Sequence, residues 1–128
     1  FGASAATTAY VRAVNASYPE WSAMSNTIQS QDMKVRPDQM VLQLEGDEKF
    51  LAALKTIPFS ASQRPAADGL MTAIEQYDAF VQTASQNPGY LSANQEQDRT
   101  LNNERALASS RLRSALHLPL SACSYNRP

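Results

Sequence analysis

Few side chains in this chain are able to do chemistry, and they are thinly spread. His117 is the only histidine and Cys123 the only cysteine. Six residues apart, they fall short of a zinc site, which draws three or four protein ligands from clustered Cys and His. Nucleophilic chemistry between them would need a third group to orient the imidazole. A single axial histidine can hold haem, so a haem or metal carrier using His117 is one alternative. The plainer reading puts His117 at a helix C-terminus, where an imidazolium meets the negative end of the helix dipole. Met24, Met33, Met40 and Met71 are soft enough for copper. Their spacing, however, puts them on different helices or in connections, where methionine is ordinary core filler.

Glu48 falls in phase with the apolar stripe of one helical stretch, and Glu104 or Arg105 with that of another. Facing carboxylates in a helical bundle hold metal when Glu-x-x-His motifs supply the other ligands. No such motif occurs, so these residues read as a partly buried ion pair, or as long side chains reaching solvent at a stripe's edge. Tyr10, Tyr18, Trp21 and Tyr77 give the stripes an aromatic bias. They are the candidate lining of a pocket for an apolar ligand between helices, set against the preferred reading as core with polar tips at the surface. Asn15-Ala16-Ser17 fits the N-glycosylation pattern but lies inside a helical stretch and carries no weight. There is no phosphate-binding glycine loop, nucleophile elbow or paired metal motif. No catalytic, metal or cofactor residue is assigned.

The elements that position these groups are four amphipathic stretches. Helix one runs from about Thr8 to Gln29 on Tyr10, Val14, Tyr18, Trp21, Ser25 and Ile28, a spacing of threes and fours. Pro19 falls inside it, and because the stripe keeps its phase, one kinked helix is expected rather than two abutting ones. A polar connection, Ser30 to Arg36, leads to Pro37, which suits the first position of helix two. Val41, Leu44, Glu48, Leu51 and Leu54 form its stripe, with Met40, Phe50 and Ile57 beside them. Gly46-Asp47 is its weak point, since Asp47 could cap a fresh start; a continuous helix to about Ile57 is preferred. Pro58 ends it, and Phe59 should pack inward. Helix three starts between Ser62 and Ala66, with Pro65 in its first turn. Leu70, Ile74, Tyr77, Val81 and Ala84 mark its buried face, with Met71 and Phe80 on the shoulder. Asn87-Pro88-Gly89 is a strong stop. Ser92-Ala93-Asn94-Gln95 has the form of a capping box opening helix four, whose stripe is Leu101, Ala108, Leu112 and Ala115 with Leu107 and Leu116, ended by Pro119.

Short, breaker-rich connections put successive helices antiparallel. The expected fold is all-α, an up-and-down four-helix bundle with a kinked first helix. One domain is expected from 128 residues, enough to bury a core without staples. The organisation reads as an N-terminal tether over 1–9, a bundle over 10–119 and a tail over 120–128. The opening Phe-Gly in place of Met reads as a processed or a trimmed form, and a signal peptide or lipid-attachment cysteine could precede it. A net charge of −1 with acids and bases interspersed argues against nucleic acid, which wants a concentrated basic face. No apolar run approaches the roughly 20 residues of a bilayer span.

Three segments carry a resemblance. They are Tyr10-Val11-Arg12-Ala13-Val14-Asn15 with Trp21 downstream, Phe50 to Phe59 leading through Ala66-Ala67-Asp68 to Leu70 and Tyr77, and Leu112 to Pro119. Together they resemble uncharacterised exported proteins, often lipoproteins, of actinobacteria and similar bacteria. The resemblance implies a small helical domain held outside the cytoplasm, often tethered by a lipidated cysteine. It implies no catalytic residues, and glycine is more usual where His117 stands. The expected function is a non-enzymatic, extracytoplasmic binding or interaction domain for an unknown protein or a small apolar ligand, with a structural or assembly module as the other alternative.

Overall fold

The computed structural model describes residues 4–30 and 37–119. It is all-helical, with α1 Ala5–Ser30, α2 Pro37–Leu54, α3 Arg64–Gln86, the single-turn α4 Tyr90–Ala93 and α5 Gln95–Ala115. The expectations for Met33, Cys123, residues 1–3, the connection 31–36 and the tail 120–128 lie outside the described residues. So do those for the side chains of Ser25 and Ile28. Among the described residues no helix is long and apolar enough to cross a membrane.

α1 runs unbroken through Pro19, as the steady phase of its stripe predicts. It begins at Ala5, and Ala6 and Thr7 are already buried, so the expected tether is in part helix. The Thr7 hydroxyl donates to the Leu116 carbonyl at 3.3 Å, tying the start of α1 to the end of α5. The buried face is Ala6, Tyr10, Ala13, Ser17 and Trp21 with Val14 beside it. Tyr18, placed in the stripe by its bulk, is exposed, and Ser17 takes the inward position. Its hydroxyl satisfies itself on the Ala13 carbonyl at 3.1 Å, so a small polar residue can sit inside at little cost.

α2 is continuous through Gly46-Asp47, and Asp47 caps nothing. Its buried face is Gln39, Met40, Asp47, Phe50 and Leu54, one residue out of phase with the predicted stripe. Val41 and Glu48 are exposed. The displacement has a physical cause. Asp47 turns inward because Trp21 of α1 and Arg105 of α5 meet it there, and Gln43, one turn earlier on the same helix, donates to it. The expected capping box at Ser92 is also corrected. Residues 90–93 form their own turn of helix, and Asn94 breaks the chain before α5 without a side-chain cap. The Asn94 amide instead donates back to the Tyr90 carbonyl at 2.8 Å. α3 starts as predicted and buries Leu70, Ile74, Val81 and Ala84 of its predicted face, but Phe80, expected on the shoulder, is buried while Tyr77 is half-buried; Gly89 supplies the positive φ of 84° that the following turn requires.

Residue pairings run in opposite senses along neighbouring helices. Tyr10 meets Phe50, whereas Trp21 meets Gly46. Met40 packs with Phe80, Val81 and Ala84, whereas Leu54 packs in one cluster with Ala67 and Leu70. The core is therefore in two parts. A larger cluster around Tyr10, Trp21, Phe50, Leu70 and Leu112 fills one end, and a smaller one around Met40, Phe80 and Val81 fills the other. Ile57 and Phe59 close the larger cluster beneath the α2–α3 connection, as expected of Phe59.

Candidate functional site

A buried polar node lies where the two clusters meet, with contributions from all four long helices. Asp47 of α2 is fully buried. Arg105 of α5 grips it with two parallel hydrogen bonds: Nη1 donates to Oδ2 and Nη2 to Oδ1, each at 2.7 Å. The Trp21 indole N–H of α1 donates to the same Oδ1 at 2.9 Å, and the Gln43 amide donates to both oxygens at 3.1 Å. The guanidinium carbon lies 5.8 Å from the Trp21 ring centroid and 5.6 Å from that of Tyr77 on α3, within cation–π range. The pairing is the fork-on-carboxylate geometry that favours arginine over lysine.

The electrostatics follow from this crowding. Burial acts to raise the Asp47 carboxyl, but the Arg105 hydrogen bonds and charge outweigh it and hold Asp47 below the ordinary aspartate value. Burial likewise acts to lower Arg105, and Asp47 more than restores it, so both stay charged. Asp78, on α3, is the second carboxyl at the node. Burial pushes it well above the aspartate range, and its hydrogen bond to Asp47 and that residue's charge push the same way. This direction favours the neutral form of Asp78, whose proton can be donated to the Asp47 carboxylate. Its other oxygen, Oδ1, is buried without a hydrogen-bond partner.

This arrangement is chemically closed. Asp47 and Arg105 neutralise one another, and the aromatic faces cover the guanidinium. The ion pair expected at these stripes does form, but through Asp47 rather than Glu48 or Glu104, both of which are exposed. Sequence reasoning missed Asp47, Gln43 and Asp78. The available signal was Gly46. A Cβ there would lie 2.7 Å from the Trp21 Nε1 and 2.8 Å from its Cδ1, so a glycine inside an otherwise good helix marks where the indole crosses.

The four aromatic candidates do not share one pocket. Trp21 and Tyr77 converge on Arg105. Tyr10 sits deeper in the larger cluster, edge-on to Phe50 with ring centroids 5.9 Å apart. Burial pushes its hydroxyl up to about 12, with Ser109 and Arg113 nearest. Tyr18 is on the surface. His117 is exposed at the residue following the α5 cap, with a left-handed φ of 59°. The amides of His117 and Leu118 return to the carbonyls of Ser114 and Arg113 at 3.0 and 2.8 Å, a Schellman ending in which glycine is the usual occupant. Among the described residues no three His, Cys, Asp or Glu side chains cluster to hold a metal.

Beside the node lies a cavity of about 90 Å³. Met24 of α1, Met40 of α2, Val81 of α3 and Leu91 of α4 form apolar walls, Tyr77 forms one side, and Gln39, Gln43 and Asp98 bring polar atoms. Burial pushes the Tyr77 hydroxyl up to about 12, with Asp98 adding to the shift, so it remains a neutral phenol beside the cavity. No known protein family, curated protein or solved structure matches this chain.

Proposed function

We propose that this chain is a non-enzymatic binding domain held outside the cytoplasm, and that it takes a small ligand with an apolar body in the cavity beside Tyr77. The observation that carries the reading is the cavity itself, with methionine and aliphatic walls and a few polar groups gathered at one side, the usual make-up of a small-molecule site. Methionine walls adapt to ligand shape. A cavity of about 150 Å³ admits benzene, so about 90 Å³ suits a branched body of four or five heavy atoms. The neighbouring node supports binding over catalysis, because its acid and base are locked together. The extracytoplasmic placement rests on the resemblance to exported bacterial proteins.

Isobutanol is the probe for this reading. Titration followed by methyl NMR should give saturable shifts at Met24 and Met40, and Ala84→Leu, which fills the cavity wall, should remove them while the helical circular dichroism persists. A folded wild-type protein whose Met24 and Met40 signals ignore isobutanol would refute the site. Protease accessibility of the full-length product in intact cells tests the placement, with cleavage expected.

A further inference from the structure

We propose that the cavity beside Tyr77 is selective for a small alkylammonium ion, with Asp98 as its counter-charge; this rests on the cavity being the binding site. Among the described residues that line the space, Asp98 is the one that carries a charge, and none is a lysine or arginine. The Arg105 guanidinium, 5.6 Å from the Tyr77 ring centroid, is held on both oxygens of Asp47 and does not line the cavity. Asp98 has no ion-pair partner among the described residues; it accepts one hydrogen bond, from the Asn102 amide to Oδ1 at 3.1 Å.

Further features suit a cation with a hydrocarbon body. The side-chain carbonyl of Gln43 and the carboxylate of Asp98 are acceptors for ammonium protons, and thioether and aromatic surfaces are polarisable toward positive charge. Partial burial raises Asp98 above the ordinary aspartate value, and the charge of a bound ammonium would offset that penalty by favouring the carboxylate. A carboxylate ligand would meet repulsion from Asp98, with no cation among the described lining residues to offset it.

The test uses three probes of one shape: isobutylammonium, isobutanol and isobutyrate. Each is titrated into the full chain at pH 7 and low salt, with the Met24 and Met40 methyl signals as readout. Isobutylammonium should bind about five- to tenfold more tightly than isobutanol, the size of a charge-assisted contact partly open to water, and isobutyrate should bind least. Asp98→Asn should abolish the ammonium preference, so that the amine binds no more tightly than the alcohol, and added salt should shrink the preference in the wild type. Equal affinity for the amine and the alcohol, or a preference that survives Asp98→Asn in a folded variant, overturns the amine assignment and leaves the cavity site standing. Absence of binding by all three probes overturns both.

Discussion

Asp47 and Arg105 lie 58 residues apart in the chain and meet through two 2.7 Å hydrogen bonds in the interior of the bundle. Around that contact gather an indole from α1, an amide from α2 and a tyrosine ring from α3. Removing either charge leaves the other buried and unpaired, which is costly, whereas removing both together need not be. The pair thus fixes how the helices rotate against one another. It explains why α2 turns Asp47 inward and leaves Glu48 outside.

Asp78 gives this node a pH dependence. Its folded pKa is raised, so its neutral form belongs to the native state. Stability is unaffected below the unfolded aspartate pKa, and falls as pH rises from there toward the raised value, because the unfolded chain releases a proton that the folded one retains. Asp47 has the opposite sign. Its lowered pKa gives stability that is full above the unfolded value and is lost as pH falls through the folded one. The groups facing Asp78 are Asp47, Arg105 and Glu75. Asp78→Asn keeps a donor toward Asp47 without the titration. It should raise stability at pH 8 by about 1–2 kcal/mol, a figure reduced because the carboxyl is partly open to solvent. Urea unfolding between pH 5 and 9 checks this; an unchanged slope in the variant would refute the shift.

Gly46 is required by the crossing of α1 over α2. An added Cβ would press on the Trp21 indole at 2.7 Å and on the Glu20 Cβ at 3.2 Å. Gly46→Ala gains about 1 kcal/mol of helix propensity but overpacks a buried contact at a cost of about 1–3 kcal/mol. It also displaces the indole N–H from Asp47. The net expectation is a loss of about 1–2 kcal/mol in chemical denaturation. A gain approaching the propensity value would show that the helices do not approach so closely.

Much of the fold was legible where punctuation and apolar spacing agree. α3 is framed by Pro65 and Asn87-Pro88-Gly89, and its buried face is as read except that Phe80 goes in and Tyr77 stays half-buried. Trp21, at the centre of its stripe, is buried against Phe50 and Gly46 of α2. Legibility failed where a polar residue faces inward. Ser17 displaces Tyr18 because its hydroxyl is satisfied within its own helix. Asp47 displaces Glu48 because its partners stand 26 and 58 residues away, where no local pattern reveals them. Arg105 could be placed in phase with the core, but its partner could not. The cavity was unreadable for the same reason, since its walls come from five helices.

His117 closes α5 in a backbone conformation that disfavours side chains. Glycine takes that conformation without the Cβ clash, though it gives the unfolded chain more freedom. His117→Gly should therefore stabilise the protein by about 0.5–1 kcal/mol. Thermal unfolding provides the check. A destabilised variant would mean that the imidazole makes a contact worth more than the relieved strain.

The double-mutant cycle on Asp47 and Arg105 tests the node most directly. Unfolding free energies are needed for Asp47→Leu, Arg105→Met and the double variant. Each single change should cost about 3–5 kcal/mol, because it strands a buried charge. The double variant should cost well under the sum, with a coupling energy of about 2 kcal/mol or more. Additive losses, with no coupling, would contradict a node in which these two residues hold the bundle together.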